Sequence, residues 1–145
     1  MRKNKTITKI LKLKENKKKE IELEVKRASD REEEEKTKLK ALEKNYVDTL
    51  KYFSEKHEES SLDINNLISY YDFFSRINEK IDEQKKIHTE CLNELACLKD
   101  TLVNAHKEKR MFEIINNKAV KREHKENLNS EQKENDFIAL SRRLR

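Results

Sequence analysis

Residues 67–119 read LISYYDFFSRINEKIDEQKKIHTECLNELACLKDTLVNAHKEKRMFEIINNKA, and their periodicity decides the fold. Alternating steps of three and four residues select Leu67, Tyr70, Phe74, Ile77, Ile81, Gln84, His88, Cys91, Leu95, Leu98, Leu102, Ala105, Lys109, Phe112, Asn116 and Ala119. Twelve of these sixteen are apolar. An apolar step of 3.5 residues held over about seven heptads marks a helix that buries a narrow seam against another helix.

Upstream, a second track supplies the partner: Ile7, Leu11, Lys14, Lys18, Ile21, Val25, Ala28, Glu32, Glu35, Leu39, Leu42, Tyr46, Thr49 and Phe53, nine of fourteen apolar. Nothing breaks it, so the pattern predicts a helix from about residue 4 to 57, about 80 Å long at about 1.5 Å per residue. The polar cluster His57-Glu58-Glu59-Ser60-Ser61 places a turn at about 57–62. Ser60 followed by Asp63, Ile64 and Leu67 has the spacing of a helix start, so the second helix is expected from about 63 to 119 or beyond.

If the helices fold back on each other with facing residues summing to 119 or 120, every position of the first track meets one of the second. Phe53 meets Leu67, Tyr46 meets Phe74, Leu42 meets Ile77, Ala28 meets Cys91, Val25 meets Leu95 and Ile7 meets Phe112. The same register sets Glu35 beside Gln84 and Glu32 beside His88. A shared polar layer specifies register at lower cost than scattered polar defects. The fold class is therefore all-α, an antiparallel two-helix coiled-coil hairpin in one domain over 1–145. Residue 1 falls opposite about residue 119, so the C-terminal helix overhangs. Residues 120–145 form a basic tail, with Glu123, Glu126, Ser130 and Lys133 at its seam positions before Phe137, Leu140 and Leu144 resume the pattern. A lone overhang is marginal, so fraying is expected there, with Phe137, Ile138, Leu140 and Leu144 ordering on a partner.

Composition supports long helices and excludes several chemistries. The 145 residues include no Gly, Pro or Trp, with 43% charged and 34% hydrophobic. Without Gly there is no P-loop and no Gly-rich dinucleotide turn, so no nucleotide cofactor is expected. No apolar run nears the roughly 20 residues that span a bilayer, and the Lys-rich start lacks the apolar stretch of a signal peptide, so a cytoplasmic protein is expected. Cys91 and Cys97 lie six apart on one helix and face different directions, against a disulfide or metal pair.

Charge is segregated. Residues 1–20 carry nine Lys or Arg and two Glu; residues 107–145 carry eleven basic and seven acidic side chains; residues 21–106 carry fourteen against twenty. Antiparallel folding gathers both basic segments at one end, whose field steers an acidic partner there. Nucleic acid is disfavoured as that partner. Phe112 and Phe137 are the only aromatics among the basic residues, and no nucleic-acid signature accompanies them, so any such binding would be salt-dependent and sequence-blind.

No catalytic site, metal site, cofactor or small-molecule substrate is expected. His88 and Cys91 stand three apart, the spacing of two ligands, but a seam layer with Glu32 explains them more simply. The run Glu32-Glu33-Glu34-Glu35 points its carboxylates in several directions and reads as a solvated band. The aromatic residues are more informative. Tyr52, Tyr71 and Phe73 fall off the seam, where a two-helix structure has no third layer to cover them, and exposed aromatics are characteristic interface anchors.

The segment Ile68-Ser69-Tyr70-Tyr71-Asp72-Phe73-Phe74-Ser75-Arg76-Ile77-Asn78-Glu79-Lys80-Ile81 resembles the start of the second helix in the FliJ family of the flagellar type III export apparatus. The basic start with Thr8, Ile10, Leu11 and Leu13 is similar to that family's first helix. Lys109-Arg110-Met111-Phe112-Glu113 through Lys121-Arg122, then Glu131-Gln132-Lys133-Glu134-Asn135-Asp136-Phe137, is similar to its closing pattern. The low Ala and high Lys and Asn content depart from many members. The resemblance implies a non-enzymatic coiled coil like the stalk of rotary ATPases, with the end carrying both termini in the central pore of the hexameric export ATPase. On this chain Lys3, Lys5, Lys9, Lys12, Arg110, Lys121 and Arg122 would make that contact. It implies contact with the export gate protein and escort of export chaperones toward the hairpin end, where Tyr46, Tyr71 and Phe73 are the candidates. It implies a peripheral place at the inner face of the cell membrane at the flagellar base, with membrane contact only through the apparatus. Virulence-type secretion rods are a close variant; a generic coiled-coil tether and a nonspecific nucleic-acid binder are the other readings.

Overall fold

A computed structural model describes residues 2–58 and 63–144, with side chains described from residue 5 onward. Two helices account for almost all of it, α1 over Arg2–Glu58 and α2 over Ile64–Arg143. Neither contains Gly or Pro, and both are rich in Lys, Glu, Leu and Ile, so nothing in either sequence forces a break. The start of α2 is set by Asp63. Its Oδ1 accepts the Asn65 backbone N–H at 2.7 Å, and its carbonyl accepts that of Leu67 at 3.1 Å. Asp63 is thus the N-cap itself, satisfying donors that the first turn would leave orphaned. Ser60, expected to begin the cap, lies outside the described residues, as does most of the expected turn. At the far end Arg142 and Arg143 occupy the last turn of α2, and Lys56 and His57 that of α1, where positive charge complements the helix dipole.

The chain divides into two compact units, residues 1–21 with 101–145 and residues 22–100. The second has the clearer core. Ala28 from α1 and Ile77, Ile81, Cys91 and Leu95 from α2 are buried, and all five are seam positions. Contacts fix the chain direction, because α1 numbers rise as their α2 partners fall. Arg31 pairs with Glu94, Glu32 with His88, Glu35 with Gln84, Tyr46 with Phe74 and Phe53 with Tyr70. The helices pack antiparallel in the register the sequence predicts. Both halves of the expected polar layer are present. His88 Nε2 lies 2.8 Å from Glu32 Oε1, and Gln84 Nε2 donates to the Glu35 carbonyl at 3.0 Å and to its carboxylate.

One seam position differs from expectation. Leu67 is 42% exposed although its heptad position matches Phe53. The Tyr70 and Phe74 rings reach Phe53 edge-on at 5.0 and 6.2 Å and occupy its surface, which leaves Leu67 facing outward.

Within the first unit, residues 1–21 and the beginning of its α2 segment are again antiparallel neighbours; Ile21 is buried there, and ion pairs interrupt an otherwise apolar seam. Lys14 Nζ meets Glu108 at 2.9 Å and stands 5.7 Å from the Phe112 ring centre. Lys109, also on the seam, meets Glu15 and reaches Glu113 at 3.6 Å. Lys14 reaches partners numbered higher than the Ala105 expected opposite it. Helical side chains lean toward their own N-terminus, which in an antiparallel pair is toward higher numbers on the neighbour. Helix α2 continues to Arg143, and the side chains from His124 to Leu144 are exposed.

Candidate functional site

Net charge differs between the two units, while both expose apolar side chains. Residues 1–21 and 101–145 carry twenty Lys and Arg against nine Asp and Glu, whereas 22–100 carry fourteen against twenty. All seven basic candidates, Lys3, Lys5, Lys9, Lys12, Arg110, Lys121 and Arg122, belong to the first unit. The side chain of Lys3 lies outside the described residues; Lys5, Lys9, Lys12, Lys121 and Arg122 are exposed. Arg110 is exposed as well, with Nη1 3.3 Å from Glu113. The seam pairs hold charge in place beneath these cations. A hydrogen bond from Lys109 holds the Glu15 carboxyl below its ordinary value, and one from Lys14 does the same for Glu108. Glu15 in turn raises Lys109 above the usual lysine value. In the other unit, the hydrogen bond from Gln84, followed by that from Lys38, lowers Glu35.

The second unit carries the aromatic candidates, and the structure places them unequally. Tyr71 is 75% exposed. Phe73 is partly covered and packs edge-on against Phe74, with ring centres 5.6 Å apart. Tyr46 is a half-buried seam residue whose ring meets Phe74 at 5.3 Å and 70°. Two residues apart on a helix is about 200° of rotation, so Tyr71 and Phe73 cannot contribute to one flat patch. Tyr71 instead lines a groove of about 540 Å³ with Leu50, Phe53, Ile64, Leu67, Ile68, Tyr70 and Phe74. Tyr52, half-exposed, stands against Tyr70 and under the Lys56 ammonium at 5.3 Å.

The groove escapes a reading that follows the seam alone. Its signal is a second apolar stripe, with Ile64, Ile68 and Tyr71 at steps of four and three on α2 and Leu50 on α1; Val47, three before Leu50, extends the stripe outside the groove lining. Among the described residues no group of three His, Cys, Asp or Glu is arranged to hold a metal. Cys91 is buried and Cys97 exposed, and neither is in a disulfide. No helix among the described residues is long and apolar enough to cross a membrane.

The model of the flagellar FliJ protein family matches residues 3–145. The chain belongs to the FliJ family. No curated protein and no solved structure matches it individually. Membership makes it a flagellar export-associated protein, and the two-helix hairpin described above is the architecture that the resemblance implies. The FliJ match spans both units, so the basic surface and the apolar groove both lie within family sequence.

Proposed function

We propose that this FliJ-family chain is a non-enzymatic stalk of the flagellar export apparatus. Its basic unit docks in the central pore of the hexameric export ATPase and promotes the assembly or activity of that enzyme. Its other unit contacts the export gate protein and export chaperones. The observation that carries the reading is that net positive charge lies in one unit, twenty basic against nine acidic residues, while the other is net acidic. Lys5, Lys9, Lys12, Lys121 and Arg122 are exposed there, available to an acidic pore lining. Lys3 and Arg110 complete the set. Tyr71, with its ring largely in solvent, is the leading gate contact; Phe73, on another face of α2, and the half-buried Tyr46 are the lesser candidates. The protein then works in the cytoplasm at the inner face of the membrane, held there by its partners.

Charge reversal tests the assignment. Lys9→Glu with Lys12→Glu replaces two attractions by repulsions, each worth up to about 1 kcal/mol, so ATPase affinity falls about tenfold or more with helicity unchanged. Undiminished binding and stimulation of the ATPase would sink the stalk reading. Tyr71→Ala with Phe73→Ala weakens gate binding while the far-ultraviolet circular dichroism stays the same. Loss of helicity instead assigns these two rings to the packing of the hairpin.

A further inference from the structure

We infer that the hairpin end of residues 22–100 is a self-association surface, which pairs two copies of this chain into a local four-helix bundle. The argument begins with the width of the apolar stripe. A two-stranded coiled coil needs apolar residues only at the two seam positions of each heptad, whereas a helix in a bundle carries a third on one flank. Between residues 77 and 102 the flanking positions that follow the seam are Asn78, Lys85, Leu92 and Lys99, mostly polar. At the hairpin end the stripe widens. Leu50 on α1 and Ile64 and Tyr71 on α2 occupy that flank, with Val47 and Ile68 beside them.

In an antiparallel pair this flank of one helix adjoins the same flank of the other, so the two stripes merge into one face. The face is open, with Leu50 at 43%, Val47 at 45%, Ile68 at 56%, Ile64 at 74% and Tyr71 at 75% exposure. With Leu67 these side chains present on the order of 600 Å², the size at which an apolar patch on a monomer marks an interaction site. Covering it on two copies buries about 1,200 Å², the lower edge of the range for specific protein interfaces.

A second copy fits the face by symmetry. A twofold axis through the groove sets Tyr71 and Ile68 of each copy against Leu50 and Ile64 of the other, as an isologous contact requires. Charge opposes this only modestly. Residues 44–79 carry four Lys or Arg and seven Asp or Glu, and salt screens that repulsion. The pairing therefore holds or strengthens with salt, opposite to any association driven by the lysines of the first unit. This inference does not rest on the ATPase reading, which concerns other residues; it shares Tyr71 with the proposed gate contact, so a second copy and the gate protein occupy this face in turn.

Sedimentation of the full chain between about 5 and about 500 µM tests it, because interfaces of this size fall at the weak end of measurable affinity. The expected result is a concentration-dependent shift from monomer to dimer mass that persists in about 0.5 M NaCl. Ile68→Glu and Tyr71→Glu alter exposed side chains, so each retains the wild-type helical signal and remains monomeric. Leu23→Glu, at an equally exposed apolar position away from the groove, still dimerises. A chain that is monomeric at every concentration overturns the inference. So does a dimer that dissolves in salt, one unaffected by both groove variants, or one abolished equally by Leu23→Glu.

Discussion

Replacing Ile77 by Ala tests whether the seam carries the stability of the hairpin. Ile77 is only 3% exposed, tied with Cys91 as the most covered core residue, and sits on α2 beside the Phe74 cluster. The change removes three carbon groups, and at about 0.8 kcal/mol each the lost transfer energy is about 2.4 kcal/mol. A deep globular core would add a cavity term of similar size. Here the seam has only two walls and solvent on both flanks, so the helices can close over the gap and the added cost is small. The expected loss is about 2–3 kcal/mol, a fall of about 10–20 °C in the melting temperature of a unit this size. Urea and thermal unfolding followed at 222 nm measure it, with Leu92→Ala as the control. Leu92 lies on the same helix but is 43% exposed, and its truncation costs no more than about 0.5 kcal/mol. If Ile77→Ala costs under about 1 kcal/mol, or no more than Leu92→Ala, the seam does not hold the fold and the energetic reasoning fails.

Three further expectations follow from the geometry. Ala28 and Cys91 are both buried at facing register positions, so Ala28→Cys forms an intramolecular disulfide with Cys91 on mild oxidation, seen as faster migration on a non-reducing gel; no such bond would refute the register. The ion pairs of the first unit give it a pH window. Glu15 and Glu108 are depressed below the ordinary 4.5, so their contribution is present above that value and lost as pH falls through the lowered folded values. Lys109 is raised above 10.5, so its contribution is present below 10.5 and lost as pH rises through the raised value. A spin-label pair at Asn16 and Lys107, in a chain with Cys91→Ala and Cys97→Ser, therefore keeps its distance between the ordinary carboxylate and lysine values and loosens as pH falls through the lowered folded values of Glu15 and Glu108. Finally, the side chains of residues 124–144 are all exposed, so their amides exchange far faster than those of 77–98; equal protection would show that the overhang is stable alone.

How far the sequence discloses this molecule depends on which physical signal a residue carries. The seam is legible because burying it is what holds the helices together, and the requirement repeats every 3.5 residues. Ile77, Ile81, Cys91 and Leu95 are buried where the period puts them, and Glu32 finds His88 across the polar layer. The helix start is less legible. Ser60 and Asp63 both have capping chemistry, and only the backbone decides that Asp63 accepts the Asn65 N–H. The groove is least legible because its residues obey no long repeat. Ile64, Ile68 and Tyr71 make up barely two turns, too short for a period to stand out beside the stronger seam. Grouping Tyr71 with Phe73 as neighbouring aromatics overlooks the half-turn between them.

That difference in legibility bears on how the two surfaces act. The basic unit adds the ion pairs of Lys14 and Lys109 to an apolar seam that buries Ile21, and its exposed lysines carry the proposed docking, so that docking weakens as salt rises. The groove unit owes its seam to Ile77, Ile81 and Leu95 and its exposed face to Ile64, Ile68 and Tyr71, whose burial salt does not weaken. On the two proposals, one chain presents two docking chemistries with opposite ionic-strength responses. A partner released by moderate salt was held by the unit of residues 1–21 and 101–145, and one retained was held by the groove. Salt alone thus assigns each contact to its unit before any residue is changed.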